Sequence, residues 1–211
     1  MKKLKQYWAF WIPYFVFLIV LSVLIIIKEK GDLHLWLNSC HTDVADVFFR
    51  YYTQVGEWVP FVVGAGLLFY RYRAALLVFS SQIAAGLMTQ ILKRLFDVDR
   101  PKRYFSEFFP DIELPQVLGV HLHSSHSFPS GHTTAAFAFF LSLAFLTKNK
   151  LLQCLYCLLG ILVGYSRIYL SQHFATDVLA GAIVGVVMTV FCLYVIDGRN
   201  PVWYEKSLKN R

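Results

Sequence analysis

Residues 7–27 read YWAFWIPYFVFLIVLSVLIII, and none of these side chains carries a charge. At 1.5 Å of rise per residue a helix of that length reaches about 31 Å, which matches the hydrocarbon core of a bilayer. At that depth there is no water to satisfy backbone N–H and C=O groups, so a single apolar segment must bond within itself as a helix. The run follows MKKLK, the basic start expected of a secretory signal. It is longer than a signal's apolar region, and no small-residue cleavage site follows. It is therefore expected to remain as the first helix of a multi-pass membrane protein.

Five more apolar segments follow, at about 53–70, 74–92, 130–147, 151–170 and 177–196. Glu57 weakens the second, and the fourth is short. No linker, charge block or repeat divides the chain, so the expectation is one all-α domain over 1–211, about six transmembrane helices in a bundle. Composition excludes an ordinary soluble domain: 57% of residues are hydrophobic and only 16% charged. The net charge of +7 is assigned to helix-flanking Lys and Arg beside anionic lipid headgroups, with no nucleic-acid partner expected. Cys154 and Cys157 form a C-x-x-C inside an apolar run and read as core residues, not as a redox or metal motif.

Six spans return the chain to its starting side. Placing the termini inside gives eleven Lys and Arg there against nine outside. The inner ones lie in short connections and the outer ones in long loops mixed with acids, so cytoplasmic termini are favoured. Residues 28–57 read either as an amphipathic helix at the interface or as plain loop.

Three polar stretches are foreign to a simple anchor: KRLFDVDRP after the third span, PSGH before the fourth, and SRIYLSQHFATD between the fifth and sixth. All fall at the outer ends of their helices and are expected to meet on one membrane face. Their side chains suit a tetrahedral dianion. Lys93, Arg100 and Arg167 supply positive charge, the arginines in two-pronged fashion. Ser130 offers a hydroxyl, Gly131 permits close backbone approach, and Pro129 suits a helix start whose amides and dipole favour an anion. His173 and Asp177 share a face if that segment is helical, so the carboxylate can hold one ring nitrogen protonated and leave the other as nucleophile. His132 is the candidate general acid. Arg167, near the end of an apolar run, is costly there unless it has a function.

The pattern K-x6-RP, PSGH and SR-x5-H-x3-D resembles the three-part signature of the type 2 phosphatidic acid phosphatase family of membrane lipid phosphatases, whose soluble relatives include vanadium haloperoxidases and bacterial acid phosphatases. All eleven fixed positions are present at the expected internal spacings. The resemblance implies a phosphohistidine at His173, oriented by Asp177. His132 would protonate the leaving alkoxide and later activate water. Lys93, Arg100, Ser130, Gly131 and Arg167 would hold the phosphoryl oxygens. It implies no metal and no cofactor. The partner is a lipid phosphate in the bilayer.

The family includes enzymes acting on undecaprenyl pyrophosphate, phosphatidylglycerophosphate, phosphatidic acid and lipid A phosphates. A bacterial inner membrane and a periplasmic site favour undecaprenyl pyrophosphate or lipid A phosphate, with the other two lipids as the alternative. Transfer to a second lipid, or a non-catalytic lipid-phosphate binder or transporter, are the competing functions. His121, His123 and His126 invite a zinc reading, but no carboxylate or cysteine stands at a matching spacing. A headgroup-contacting loop or a solvated one suits them equally. Residues 103–120 read as a lid or a headgroup-selecting loop. The sequence is silent on oligomeric state.

Overall fold

A computed structural model describes residues 2–199 and 201–210. In chain order the helices are α1 (Lys2–Lys5), α2 (Trp8–Ile27), α3 (Lys30–Leu37), α4 (Asp43–Tyr52), a 3₁₀ turn (Thr53–Gly56), α5 (Val59–Leu67), α6 (Tyr72–Leu95), α7 (Pro101–Phe108), α8 (Gly131–Phe145), α9 (Lys150–Tyr169), α10 (Ala175–Arg199) and a second 3₁₀ turn (Val202–Glu205). No strand occurs among the described residues. The expected all-α membrane bundle is what forms.

Each of the six expected spans contains a helix, but their lengths differ from expectation. Helices α2, α6, α9 and α10 are long and apolar enough to cross a membrane. Helix α8 has 15 residues, about 22 Å at helical rise, which is short of a hydrocarbon core. It is also the most enclosed element, packed by α6, α9 and α10. Phe137, Leu141 and Ala144 are fully buried along it. Protein, not lipid, surrounds α8, so it need not span. Small residues bring α10 close: a Cβ on Gly181 would come within 2.7 Å of the Ser130 carbonyl.

The segment at 53–70 departs further. It begins with the 3₁₀ turn and continues as the nine-residue α5. The turn packs against α8 so tightly that a side chain at Gly56 would strike the His132 carbonyl. The chain thus dips into the bundle beside the start of α8 instead of running straight across.

The bundle has two distinct ends. At one, Tyr7 Oη donates to the Phe145 carbonyl at 3.2 Å, Tyr72 N–H to Lys206 at 2.8 Å and Leu208 N–H to Leu68 at 2.9 Å. Both terminal regions therefore gather there. The other end carries α3, α4, α7 and the connections 96–130 and 170–174.

Of the two readings for 28–57, helix prevails. Thr42 caps α4 by accepting from the Ala45 N–H at 3.2 Å. Phe49 buries against Tyr169, with ring centroids 4.5 Å apart. All four cysteines are free, and Cys157 lies fully buried in the core.

Candidate active site

The three polar stretches meet at the end of the bundle opposite the termini. The backbone joins them first. Ser130 N–H donates to the Asp177 carbonyl at 3.0 Å, tying the start of α8 to the start of α10. Arg100 N–H donates to Ser124 and Ser127 N–H to Val98, so the connection after α6 pairs with the one before α8. The amides of Gln172 and His173 both return to the Arg167 carbonyl, at 2.9 and 3.1 Å. That turn brings His173 back beside the guanidinium of its own preceding helix.

His173 and Asp177 do pair, though not as two residues on one helix face. His173 lies outside α10, one residue before Phe174. Asp177 sits in the first turn, and its Oδ2 accepts the Phe174 N–H at 2.9 Å, in the manner of a capping box. His173 Nδ1 is 3.5 Å from the same oxygen. The Ser127 hydroxyl fills the gap, 2.5 Å from Asp177 Oδ2 and 3.3 Å from His173 Nδ1. All three side chains are almost wholly buried. Burial pushes the His173 imidazole down to about 3 despite its hydrogen-bonded partner Asp177, and the charges of Arg100 and Arg167 add to the push.

The cations surround this group. Arg167, only 6% exposed, donates through Nη1 to Thr53 Oγ1 at 2.7 Å. Its Nε is buried and has no hydrogen-bond partner among the described residues. Arg100, at the N-terminal boundary of α7, donates from Nε to the Ser125 carbonyl at 2.9 Å and from Nη1 to the Gln172 side chain and carbonyl at 3.1 and 3.2 Å. Lys93, in the last turn of α6, donates to the His126 carbonyl. None of the three forms an ion pair among the described residues.

His132, in the first turn of α8, lies within electrostatic reach of Arg167, His173, Arg100 and Lys93. Its Nε2 is 3.6 Å from Glu57 Oε2. Ser130 is buried beside it and accepts from Thr133 Oγ1 at 2.8 Å. A Cβ on Gly131 would meet only Thr89, at 3.8 Å, so protein packing does not demand a glycine there. Arg167 and His132 open onto a cavity of about 560 Å³ that Arg50, Glu57, His121 and His123 also line.

The loop read as lid or headgroup selector divides its tasks. Tyr104 of α7 packs on Phe174, with ring centroids 5.3 Å apart. Residues 119–121 border the cavity mouth. His121 and His123 pack edge to face, 4.9 Å between ring centroids. No group of three or more His, Cys, Asp or Glu side chains that could hold a metal ion occurs among the described residues.

Four contributors were not singled out from sequence. Ser127 adjoins PSGH and Gln172 is a variable position within SR-x5-H, yet as polar loop residues they carry no signal of their own. Thr53 is hidden in a segment read as lipid-spanning. Glu57 did carry a signal: an acid within an apolar span is costly unless it faces a polar site.

This chain is a helical membrane protein with one polar, strongly cationic site enclosed at the end of its bundle, and it belongs to the PAP2 superfamily, whose sequence pattern matches residues 74–201. It is 35% identical over 173 residues to phosphatidylglycerophosphatase B of Bacillus subtilis, covering 72% of each chain. To lipid A 4'-phosphatase of Porphyromonas gingivalis it is 26% identical over 188 residues, 86% of this chain and 79% of that one. Among solved structures it shares the fold of Aquifex aeolicus LpxE, with a TM-score of 0.68 and 24% identity over 81% of this chain and 98% of that one.

Proposed function

We propose that this protein is a lipid phosphatase that removes a phosphate from a phosphomonoester or pyrophosphate headgroup through a phosphohistidine on His173. The observation that carries the reading is the excess of positive charge at the site, held by no direct ion pair among the described residues. Arg100 and Arg167 act on a buried imidazole, Lys93 lies beside Arg100, and among the described residues all three donate only to uncharged acceptors. A cluster of buried and half-buried cations that outnumbers the acids near it, Asp177 and Glu57, and pairs directly with neither is costly by itself and favourable once a phosphate dianion enters. Membership of the family supports the same chemistry.

The sequence of steps follows from position. The phosphoryl group sits among the three cations, the Ser130 hydroxyl and the first amides of α8, where Gly131 leaves room for oxygen. His173 attacks phosphorus through Nε2. The bond to the lipid oxygen breaks with its electron pair on that oxygen, and His132 supplies the proton. A water deprotonated by His132 then attacks the phosphohistidine and frees both phosphate and His173. Fixed cations neutralise the transferring group, the task a divalent ion performs in many other phosphoryl-transfer sites. A binder or transporter needs the cations alone. The buried Asp177 and Ser127 beside His173 are surplus to that task, which favours catalysis.

The site lies at the end of the bundle away from the termini. With the termini cytoplasmic in a bacterial inner membrane, it faces the periplasm. The likeness to phosphatidylglycerophosphatase B puts phosphatidylglycerophosphate beside undecaprenyl pyrophosphate as first substrates to try, then lipid A phosphate and phosphatidic acid. The test is phosphate release by detergent-purified protein from those four lipids, with EDTA present and H173A in parallel. Release that survives EDTA and is lost in H173A is expected, and the ranking of lipids names the substrate. Release abolished by EDTA, or retained in H173A, overturns the mechanism. A phosphorylated acceptor lipid in place of free phosphate would redefine the enzyme as a phosphotransferase.

A further inference from the structure

Ser127 lies outside the three motifs, yet its hydroxyl contacts both Asp177 and His173. It is fully buried. Its backbone N–H is fixed on the Val98 carbonyl at 2.8 Å, so the side chain is presented from a pinned strand of loop. The hydroxyl contacts Asp177 Oδ2 at 2.5 Å and His173 Nδ1 at 3.3 Å. The direct imidazole–carboxylate separation is longer, 3.5 Å.

We propose that Ser127 is a positioning residue that relays the orienting carboxylate of Asp177 to His173 and fixes which ring nitrogen of that histidine is free to attack. A hydroxyl has one proton and can accept at its oxygen. A carboxylate can only accept, and at 2.5 Å the Ser127 proton is committed to Asp177. The serine oxygen must then accept from the histidine, so the proton of the neutral imidazole resides on Nδ1. The lone pair is left on Nε2. The Phe174 N–H, donating to the same Oδ2 at 2.9 Å, holds the carboxylate in place.

The relay also acts during the reaction. When the Nε2–P bond forms and the bond from phosphorus to the leaving oxygen breaks, positive charge develops on the ring, whose Nδ1 keeps its proton. That proton points at an oxygen polarised by Asp177. Charge is thus stabilised across two hydrogen bonds in addition to the carboxylate's own field, 3.5 Å from the ring.

This inference rests on His173 being the nucleophile, so its test measures kcat and KM for S127A and S127C beside H173A and D177N, using whichever lipid the wild type cleaves best. S127A is expected to lower kcat about 10- to 100-fold with KM within about twofold, as for loss of an outer-shell partner that orients a reacting imidazole. S127C, close in shape but a weaker donor, is expected to fall between wild type and S127A, and it serves as the probe should S127A not accumulate. The double variant S127A/D177N is expected to be no slower than the worse single variant, because the two residues form one relay. An S127A enzyme within twofold of wild type while H173A is inactive overturns the relay and leaves the nucleophile standing. Additive losses in the double variant also overturn it. Activity in H173A would instead remove the reading on which it depends.

Discussion

The two ends of the bundle both carry arginines, and they treat them in opposite ways. At the terminal end, Arg73 pairs with Asp197, and Arg71 Nε lies 3.2 Å from Glu205 Oε2. At the other end Lys93, Arg100 and Arg167 find only carbonyls, an amide oxygen and a hydroxyl. Of the nearby carboxylates, Asp177 is occupied by Ser127, the Phe174 amide and His173, and Glu57 lies beside His132. Paired arginines fasten a fold. Arginines without an ion pair leave their charge available, which is why we propose a phosphate there, and Thr53 holds Arg167 without neutralising it.

That contrast can be broken experimentally, with the largest effect expected at His132, the proposed leaving-group acid. H132A should lower kcat on a lipid substrate by about 10²- to 10⁴-fold. With an aryl phosphate, whose phenolate leaves without help, the deficit should shrink to about tenfold or less in the first chemical step, measured as burst rate. An equal loss on both substrates contradicts the acid role.

R167A comes next. Removing the charged donor proposed to hold the transferring group should cost about 10²- to 10³-fold in kcat/KM. Phosphate inhibition measured alongside should weaken, since the product uses the same cations. R167K should recover little, because a single ammonium cannot replace the fork that bonds Thr53 and an anion together.

A smaller effect concerns acidity. The His173 imidazole is held down to about 3 by burial, whereas an unfolded chain protonates it near its ordinary value. Between those two points the unfolded state binds more protons than the folded one. Stability should therefore fall as pH drops from about 6.5 toward 3. H173N should show a flatter fall in detergent-phase thermal unfolding.

The smallest effect belongs to the paired end. R73A should cost about 1 kcal/mol of stability or less, since the pair is partly solvated, and should leave kcat within about twofold. A large catalytic loss there would erase the distinction between the two ends.

Much of the candidate site was legible in sequence because its polar residues sit at helix ends, where the apolar pattern stops. Lys93 closes α6, Arg100 precedes Pro101, Gly131 opens α8, and Asp177 lies in the first turn of α10. The shortness of α8 was visible too, though not its cause, which is enclosure by three other helices. Ser127 was not legible, because its place depends on how residues 96–130 fold back over the site, and a serine in a loop has no periodicity to announce it. Thr53 escaped for a different reason. An apolar stretch reads as a span by composition alone, whereas here the chain breaks into a 3₁₀ turn against the start of α8.

The central claim is covalent: phosphate rests on His173 between the two halves of the reaction. The most direct measurement is to mix enzyme with phosphate-labelled lipid, quench in alkali within one turnover, and locate the label by mass spectrometry. The account predicts an acid-labile, base-stable phosphoryl group on His173 that appears before free phosphate and is absent from H173A. Turnover of the same lipid with no label on the enzyme, or with label on another residue, would contradict it.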